Sequence, residues 1–281
     1  MATDTPIDRG LSLPISRRTL IGSAALAAAG IAIGAKPAEG HGTLVSYNNI
    51  NGQSTYLFDR DTDVMGTSPH SFQYNSTFHS RLNAWATFYY QNTLYNWANP
   101  TIFAVSAVHR DTVIDGTNQL SWHASGRAID LERIYVTDSN TGNRLYAANL
   151  RGYQLASLAR THREWQKYWG AVASLVYHFD YVLHYYYEGH QDHVHADNAN
   201  SGSGNSTFST STVKIKFVQA SLNSIWGENL TVDGSYGNLS KAAGKRAMTR
   251  LGYSGQIDTS LTNWQAYLRG TTQRGTGLSV G

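Results

Sequence analysis

A histidine and an aspartate with six residues between them, His123 and Asp130, lie in Ser121-Trp122-His123-Ala124-Ser125-Gly126-Arg127-Ala128-Ile129-Asp130. About sixty residues later comes His190-Gln191-Asp192-His193-Val194-His195. These residue types suit a divalent cation. A catalytic zinc takes about three protein ligands from imidazole and carboxylate groups and leaves its fourth position for water, and His123, Asp130 and His195 supply that set. The water needs a proton acceptor outside the metal shell, and Asp192, three residues before His195, is placed to be that acceptor. Gly126 gives the loop the freedom to fold His123 and Asp130 back onto one ion. Two-residue alternation puts His193 and His195 on one face of a strand. We assign His195 as the ligand and His193 as its neighbour or a partner of the transition state. Asp192, of opposite parity, reaches the site only if the chain turns, which Glu188-Gly189-His190 permits.

Several elements must position these groups. Phe78, Leu82, Trp85, Tyr89 and Leu94 recur at helical spacing over 76–98, and Ile102-Phe103-Ala104-Val105 reads as a strand. A second strand over 128–136 carries Asp130 near its start, and the Asp-Ser-Asn-Thr-Gly run at 138–142 is a turn. The stretch 151–176, with Leu155, Leu158, Trp165, Trp169, Val172 and Leu175 on its apolar side, predicts the longest helix. Tyr181-Val182-Leu183-His184-Tyr185-Tyr186-Tyr187 predicts a central strand leading to the second histidine cluster, its tyrosines serving sheet and core packing. Residues 41–69 are polar and turn-rich and predict a loose lead-in with no chemistry of its own. His79, His109, His162, His178 and His184 read as core or surface residues.

Residues 1–40 read as a targeting segment and are set apart from the fold. Arg17-Arg18 precedes a weakly apolar Ala/Gly/Ile stretch, and this resembles a bacterial twin-arginine (Tat) export signal. The stretch of about fourteen residues is shorter than the roughly 20 that a membrane-spanning helix needs, so no stable membrane insertion is expected after cleavage. The expectation is an exported protein of the cell wall, periplasm or exterior. From 199 to 212 the chain turns to Asn, Ser, Gly and Thr, the composition of a linker.

The pattern Ser-x-His-x-x-Gly-x-Ala-x-Asp followed by Asp-His-x-His resembles the zinc D-alanyl-D-alanine peptidases of the VanX and VanY type. That family shares its fold with lysostaphin-type endopeptidases and the hedgehog signalling domain. The resemblance covers roughly Ser76 to Asn198. It implies an α+β fold with a small antiparallel sheet flanked by helices over a domain spanning 41–198, and Zn2+ as cofactor. Carried over, His123, Asp130 and His195 match the ligands and Asp192 the catalytic acid/base. His190 matches a further histidine that lines the site in one branch. Arg110, thirteen residues before His123, matches an arginine the family keeps in a Ser-x-Tyr-Arg context, with His109 here in the tyrosine's place. With the metal, it would steady the oxyanion. Residues 213–270, with Val218-Gln219, Leu222 and Leu230-Thr231-Val232-Asp233-Gly234-Ser235-Tyr236-Gly237, are similar to the three-helix all-α peptidoglycan-binding domain of wall enzymes. The helix from Leu239 to Leu251 lacks that family's usual Phe-Gln pair.

The resemblance implies a secreted hydrolase: a metallopeptidase cutting peptidoglycan stem peptides or cross-links, as a D-Ala-D-Ala carboxypeptidase or an endopeptidase. The alternative is a non-catalytic, zinc-containing wall-binding protein. Arg110 and Arg127 could serve a carboxypeptidase's closed pocket or an endopeptidase's open groove. With no cysteine in 281 residues, the fold must be held by burial alone. Only 15% of residues are charged while 12% are aromatic, a surface suited to sugars and peptides. A net charge of +3 without a basic stripe argues against a nucleic-acid partner.

Overall fold

The computed structural model describes residues 43–93, 101–113, 120–138, 141–198 and 205–278. The export-signal reading of 1–40, the helix anchor Leu94 and part of the 199–212 segment lie outside them. All described residues belong to one compact unit, Ala32–Gly281. Among them, no helix is long and apolar enough to cross a membrane.

The lead-in expected to be loose is instead ordered as strand. β1 (Leu44–Tyr47), β2 (Asn49–Ile50), β3 (Gln53–Asp59) and β4 (Val64–Met65) come first, and β5 (Phe72–Asn75) pairs with β1 in a small sheet of its own. Alternation of buried and exposed side chains in Phe72-Gln73-Tyr74 was there to be read, but the Asn and Gly turns around it masked the period. Asn75 then starts α1 (Ser76–Gln91), its side chain accepting from the amides of Thr77 and Phe78. Phe78, Leu82, Trp85 and Tyr89 are fully buried along one face, each worth about 1.5–3 kcal/mol of apolar transfer. The helix ends earlier than expected, because the Asn92 side chain and amide both turn back onto the Phe88 carbonyl.

β6 (Thr101–Ala107), β7 (Ala128–Thr137), β8 (Arg144–Asn149), β9 (Tyr181–Leu183) and β10 (Val194–Asp197) complete the main sheet. Its order is β2-β3-β6-β7-β10-β9, with β4 on β3 and β8 on β7. The fold is α+β as expected, but the sheet is larger and mixed rather than small and antiparallel, since β3 and β6 run parallel. Such a pair needs a crossover, and α1 supplies it. β9 is a short edge strand, not a central one, and the chain leaves it at the buried His184. Tyr185 and Tyr186 pack on Trp165 and Trp169 rather than extending the strand.

The helix expected over 151–176 splits. Gly152–Leu155 forms one 3-10 turn, and α2 (Arg163–His178) begins only where His162 Nδ1 accepts from the Glu164 amide. α1 and α2 meet through Trp85 Nε1, which donates to Ser174 Oγ at 2.9 Å. Three further helices follow: α3 (Thr212–Trp226), α4 (Asn238–Arg250) and α5 (Leu261–Thr276). In the turn before α4, Gln219 Nε2 donates to Asp233 Oδ1 and the Ser235 carbonyl, while its Oε1 accepts from the Gly234 amide. α5 lies against α2 at a glycine crossing. A Cβ built on Gly275 would sit 2.7 Å from the Gln166 carbonyl oxygen and from Gly170 Cα. One hydrophobic core therefore runs from Phe78 and Trp85 through Trp169 to Trp226 and Trp264.

Candidate metal centre

β7 is the strand that organises the site. It is buried almost throughout, with Ile129 and Leu131 facing the core and Asp130 and Glu132 the opposite side. In the antiparallel register His195 of β10 stands directly across from Asp130, so both side chains emerge on one face. His123 arrives from the 3-10 turn Trp122–Ser125, which Gly126 closes at φ +64. A side chain at Gly126 would meet Leu44 Cδ2 at 2.6 Å and the Asn75 nitrogen at 2.8 Å. The glycine of the motif is required both by its backbone angle and by the space around it.

The three predicted ligands converge. His123 Nε2 and His195 Nδ1 lie 3.1 and 2.9 Å from Asp130 Oδ1 and 3.2 Å from each other, and all three residues are buried. A tetrahedral zinc with bonds of about 2.0–2.1 Å separates its ligand atoms by roughly 3.3 Å, close to this spacing. The outer ring nitrogens are already committed. His123 Nδ1 donates to the Val108 carbonyl at 2.6 Å and His195 Nε2 to Asp197 Oδ2 at 3.0 Å, which orients each ring as metal-bound histidines are usually oriented. Two imidazole lone pairs and a carboxylate oxygen thus point at one space that calls for positive charge. Burial alone would lower the His195 pKa, but Asp130 and Asp197 raise it to about 9. Burial also works against Asp130 ionising, yet His123, His195 and His193 hold its pKa well below the usual carboxylate range. Burial keeps His123 low despite Asp130. The donor set fits a metal ion. Among the described residues it is the one group of this kind that converges, and His193 stays outside it.

The other predicted residues fall into place unequally. His193 lies beside the ligands, with Nε2 3.7 Å from Asp130 Oδ1 and Nδ1 2.7 Å from Asp192 Oδ1. Asp192 is thereby paired with the His193 ring. Burial raises the Asp192 pKa, but the His193 hydrogen bond and charge and the nearby Arg60 leave it lowered. The turn Asp192 requires is present, at Gly189 with φ +77. His190 packs its ring 4.7 Å from that of His193 and 5.9 Å from that of His195. Burial pushes its pKa to about 3, with both neighbouring histidines adding to the shift, so it is neutral at neutral pH. Arg110 reaches Asp130 Oδ2 at 3.3 Å and is 45% exposed. Arg127 turns away, donating to Asn198 and lying over the Trp122 ring at 4.6 Å.

Sequence reasoning missed three groups. Arg60, from the lead-in assigned no chemistry, donates to Asp130 Oδ2 at 3.0 Å and to Glu132 Oε1 at 2.6 Å. Glu132 is fully buried between Arg60, Arg151 and Ser106. Asp197 supports His195. The two acids could have been found by continuing the two-residue alternation, Asp130 to Glu132 and His195 to Asp197. Nothing local marks Arg60, seventy residues before Asp130. A hollow of about 360 Å3, lined by Leu57, Phe58, Asp59, Arg60, Ser106 and Arg110, opens beside these arginines.

No family model, curated protein or solved structure matches this chain.

Proposed function

We propose that this protein is an exported zinc-dependent peptidase that hydrolyses amide bonds in peptidoglycan peptides. The observation that carries the reading is the convergence of His123 Nε2, Asp130 Oδ1 and His195 Nδ1, with His193 and its carboxylate partner standing just outside. Peptidoglycan as substrate and wall polymer, and export by the twin-arginine route, rest on the motifs at 121–130, 192–195, 218–237 and 17–18. His123, Asp130 and His195 would hold a zinc ion, which would supply an acidified water and a Lewis acid for the substrate carbonyl.

The chain's own residues do the rest. His193, with Nδ1 donating to Asp192, has its Nε2 lone pair on the ligand side and accepts the attacking water's proton. It then hands that proton to the leaving amine. This divides the role expected of Asp192 alone: the imidazole carries the proton and the carboxylate fixes its tautomer and balances its charge. Neutral His190 shields that ring from solvent. Arg110, half exposed at the rim, donates to the carbonyl oxygen as it gains negative charge, an interaction worth on the order of 3 kcal/mol.

The test is incubation of the zinc-loaded protein with purified peptidoglycan, followed by mass spectrometry of the released fragments. Loss of a single alanine identifies a carboxypeptidase, and larger peptides an endopeptidase. Wall binding with no release would leave the non-catalytic, zinc-containing binding protein as the better reading.

A further inference from the structure

We propose that Arg60 is a positioning residue of the metal centre, which holds the outer oxygen of Asp130 so that this carboxylate presents one oxygen, not two, to the ion. The inference rests on the metal-site reading above. The two oxygens of Asp130 have different surroundings. Oδ1 faces His123, His195 and His193, whereas Oδ2 receives Arg60 Nη2 at 3.0 Å and Arg110 Nη2 at 3.3 Å. A carboxylate able to swing would offer both oxygens and close the position a water needs. A donor held rigidly on Oδ2 prevents that swing.

Arg60 is built as a strut and Arg110 is not. Its guanidinium spans two acids on the same face of β7, with Nε on Glu132 Oε1 and Nη2 on Asp130 Oδ2. Glu132 is itself held by Ser106 Oγ at 2.7 Å and Arg151 Nη1 at 3.0 Å. Arg151 also donates from Nη2 to the Arg60 carbonyl at 3.3 Å, and Asp59 Oδ1 braces the following turn by accepting from the amides of Asp61 and Thr62. Arg60 is 24% exposed, against 45% for Arg110 with its single longer contact. A planar guanidinium can bridge two carboxylates at fixed separation, and a lysine ammonium cannot reproduce that fork.

The experiment uses the full chain, as wild type and as Arg60→Met, Arg60→Lys and Arg110→Met. Each is loaded with Co2+ for visible absorption and titrated with Zn2+ against a chromogenic chelator, with circular dichroism as the check on folding. Wild type is expected to show the intense bands of four-coordinate cobalt. Arg60→Met should lose that intensity as Asp130 becomes bidentate, and should bind zinc about 10–100-fold more weakly. Arg60→Lys should fall between, and Arg110→Met should keep the wild-type spectrum. A folded Arg60→Met with unchanged spectrum and affinity overturns the proposal. So does an Arg60→Met that fails to fold while Arg60→Lys folds with wild-type spectrum and affinity. Failure of the wild type to bind either ion would sink the metal-site reading instead, so the two failures are distinct.

Discussion

The His193 ring bonds Asp192 through Nδ1 and turns Nε2 toward Asp130, and that division of its two nitrogens makes the roles of neighbouring residues separable. On the proposed mechanism His193→Ala removes the proton carrier, so turnover is expected to fall by about 10²–10⁴ while zinc is retained. Asp192→Ala leaves the imidazole but frees its tautomer, so it should keep zinc and lose less than His193→Ala. His123→Ala removes a ligand and should lose both metal and activity. Kinetics on peptidoglycan fragments, with metal content of each variant by mass spectrometry, decide among these. Equal losses in Asp192→Ala and His193→Ala would mean that the pair acts as one unit. Chelation of the wild type should abolish turnover, and stoichiometric zinc should restore it.

Among the elements, the 3-10 turn carrying His123 depends on Gly126. Its amide bonds back to the His123 carbonyl, and its own carbonyl receives the Asn75 amide at the head of α1. Gly126→Ala meets a left-handed backbone penalty of about 1–2 kcal/mol together with the close approach of Asn75 and Leu44. It should lower unfolding free energy in urea by more than that penalty, and weaken zinc binding through His123. A different device is formed by the last residue of α2 and the residue that follows β9. Burial, with the charge of Arg81, lowers the His178 pKa to about 3; burial outweighs the Val213 hydrogen bond and takes His184 to about 4. In the unfolded chain both titrate near 6.5. As pH falls below about 6.5 the unfolded state gains protons that the folded state refuses until about pH 4. Stability is thus fully present above that window and is lost within it, by up to about 2.7 kcal/mol per pH unit for the pair. His178 has neither ring nitrogen hydrogen-bonded, so His178→Leu should keep stability at pH 7 and halve this acid slope in urea titrations at stepped pH.

At the scale of the molecule, α3, α4 and α5 share their core with the lobe that carries the candidate metal centre. The Gly170–Gly275 crossing brings α2 and α5 together, Arg163 Nη1 donates to the Gly275 carbonyl at 2.8 Å, and Gln273 Nε2 reaches Asn92 Oδ1 at 3.0 Å. Calorimetry should therefore show one cooperative transition, where an independently tethered module would give two. Gly275→Leu, which forces the backbones of α2 and α5 apart, should lower the whole transition at a cost of about 1–3 kcal/mol. A second, unshifted transition in that variant would mean that the helices unfold on their own.

How much of this was legible in the amino-acid sequence differs by residue. His123, Asp130 and His195 could be chosen from their spacing because ligand chemistry and strand alternation are local, and the structure brings those three together. The strand at 128–136 and the turn before α4 were readable for the same reason, as apolar period and turn residues are written within a few positions. The break of the 151–176 helix was not, since capping by His162 competes with an apolar pattern that runs on regardless. Nor was the strand character of 44–59, where frequent turns hide short periods. What the amino-acid sequence determined by itself was the donor set and the local elements that carry it. Tertiary structure alone decided that Arg60, just past β3, reaches Asp130, that Asp192 bonds the His193 ring, and that the last helices lie against α2. Each of these is a contact whose partners are distant in the chain or whose side-chain direction depends on a neighbouring strand, and no residue spacing encodes it.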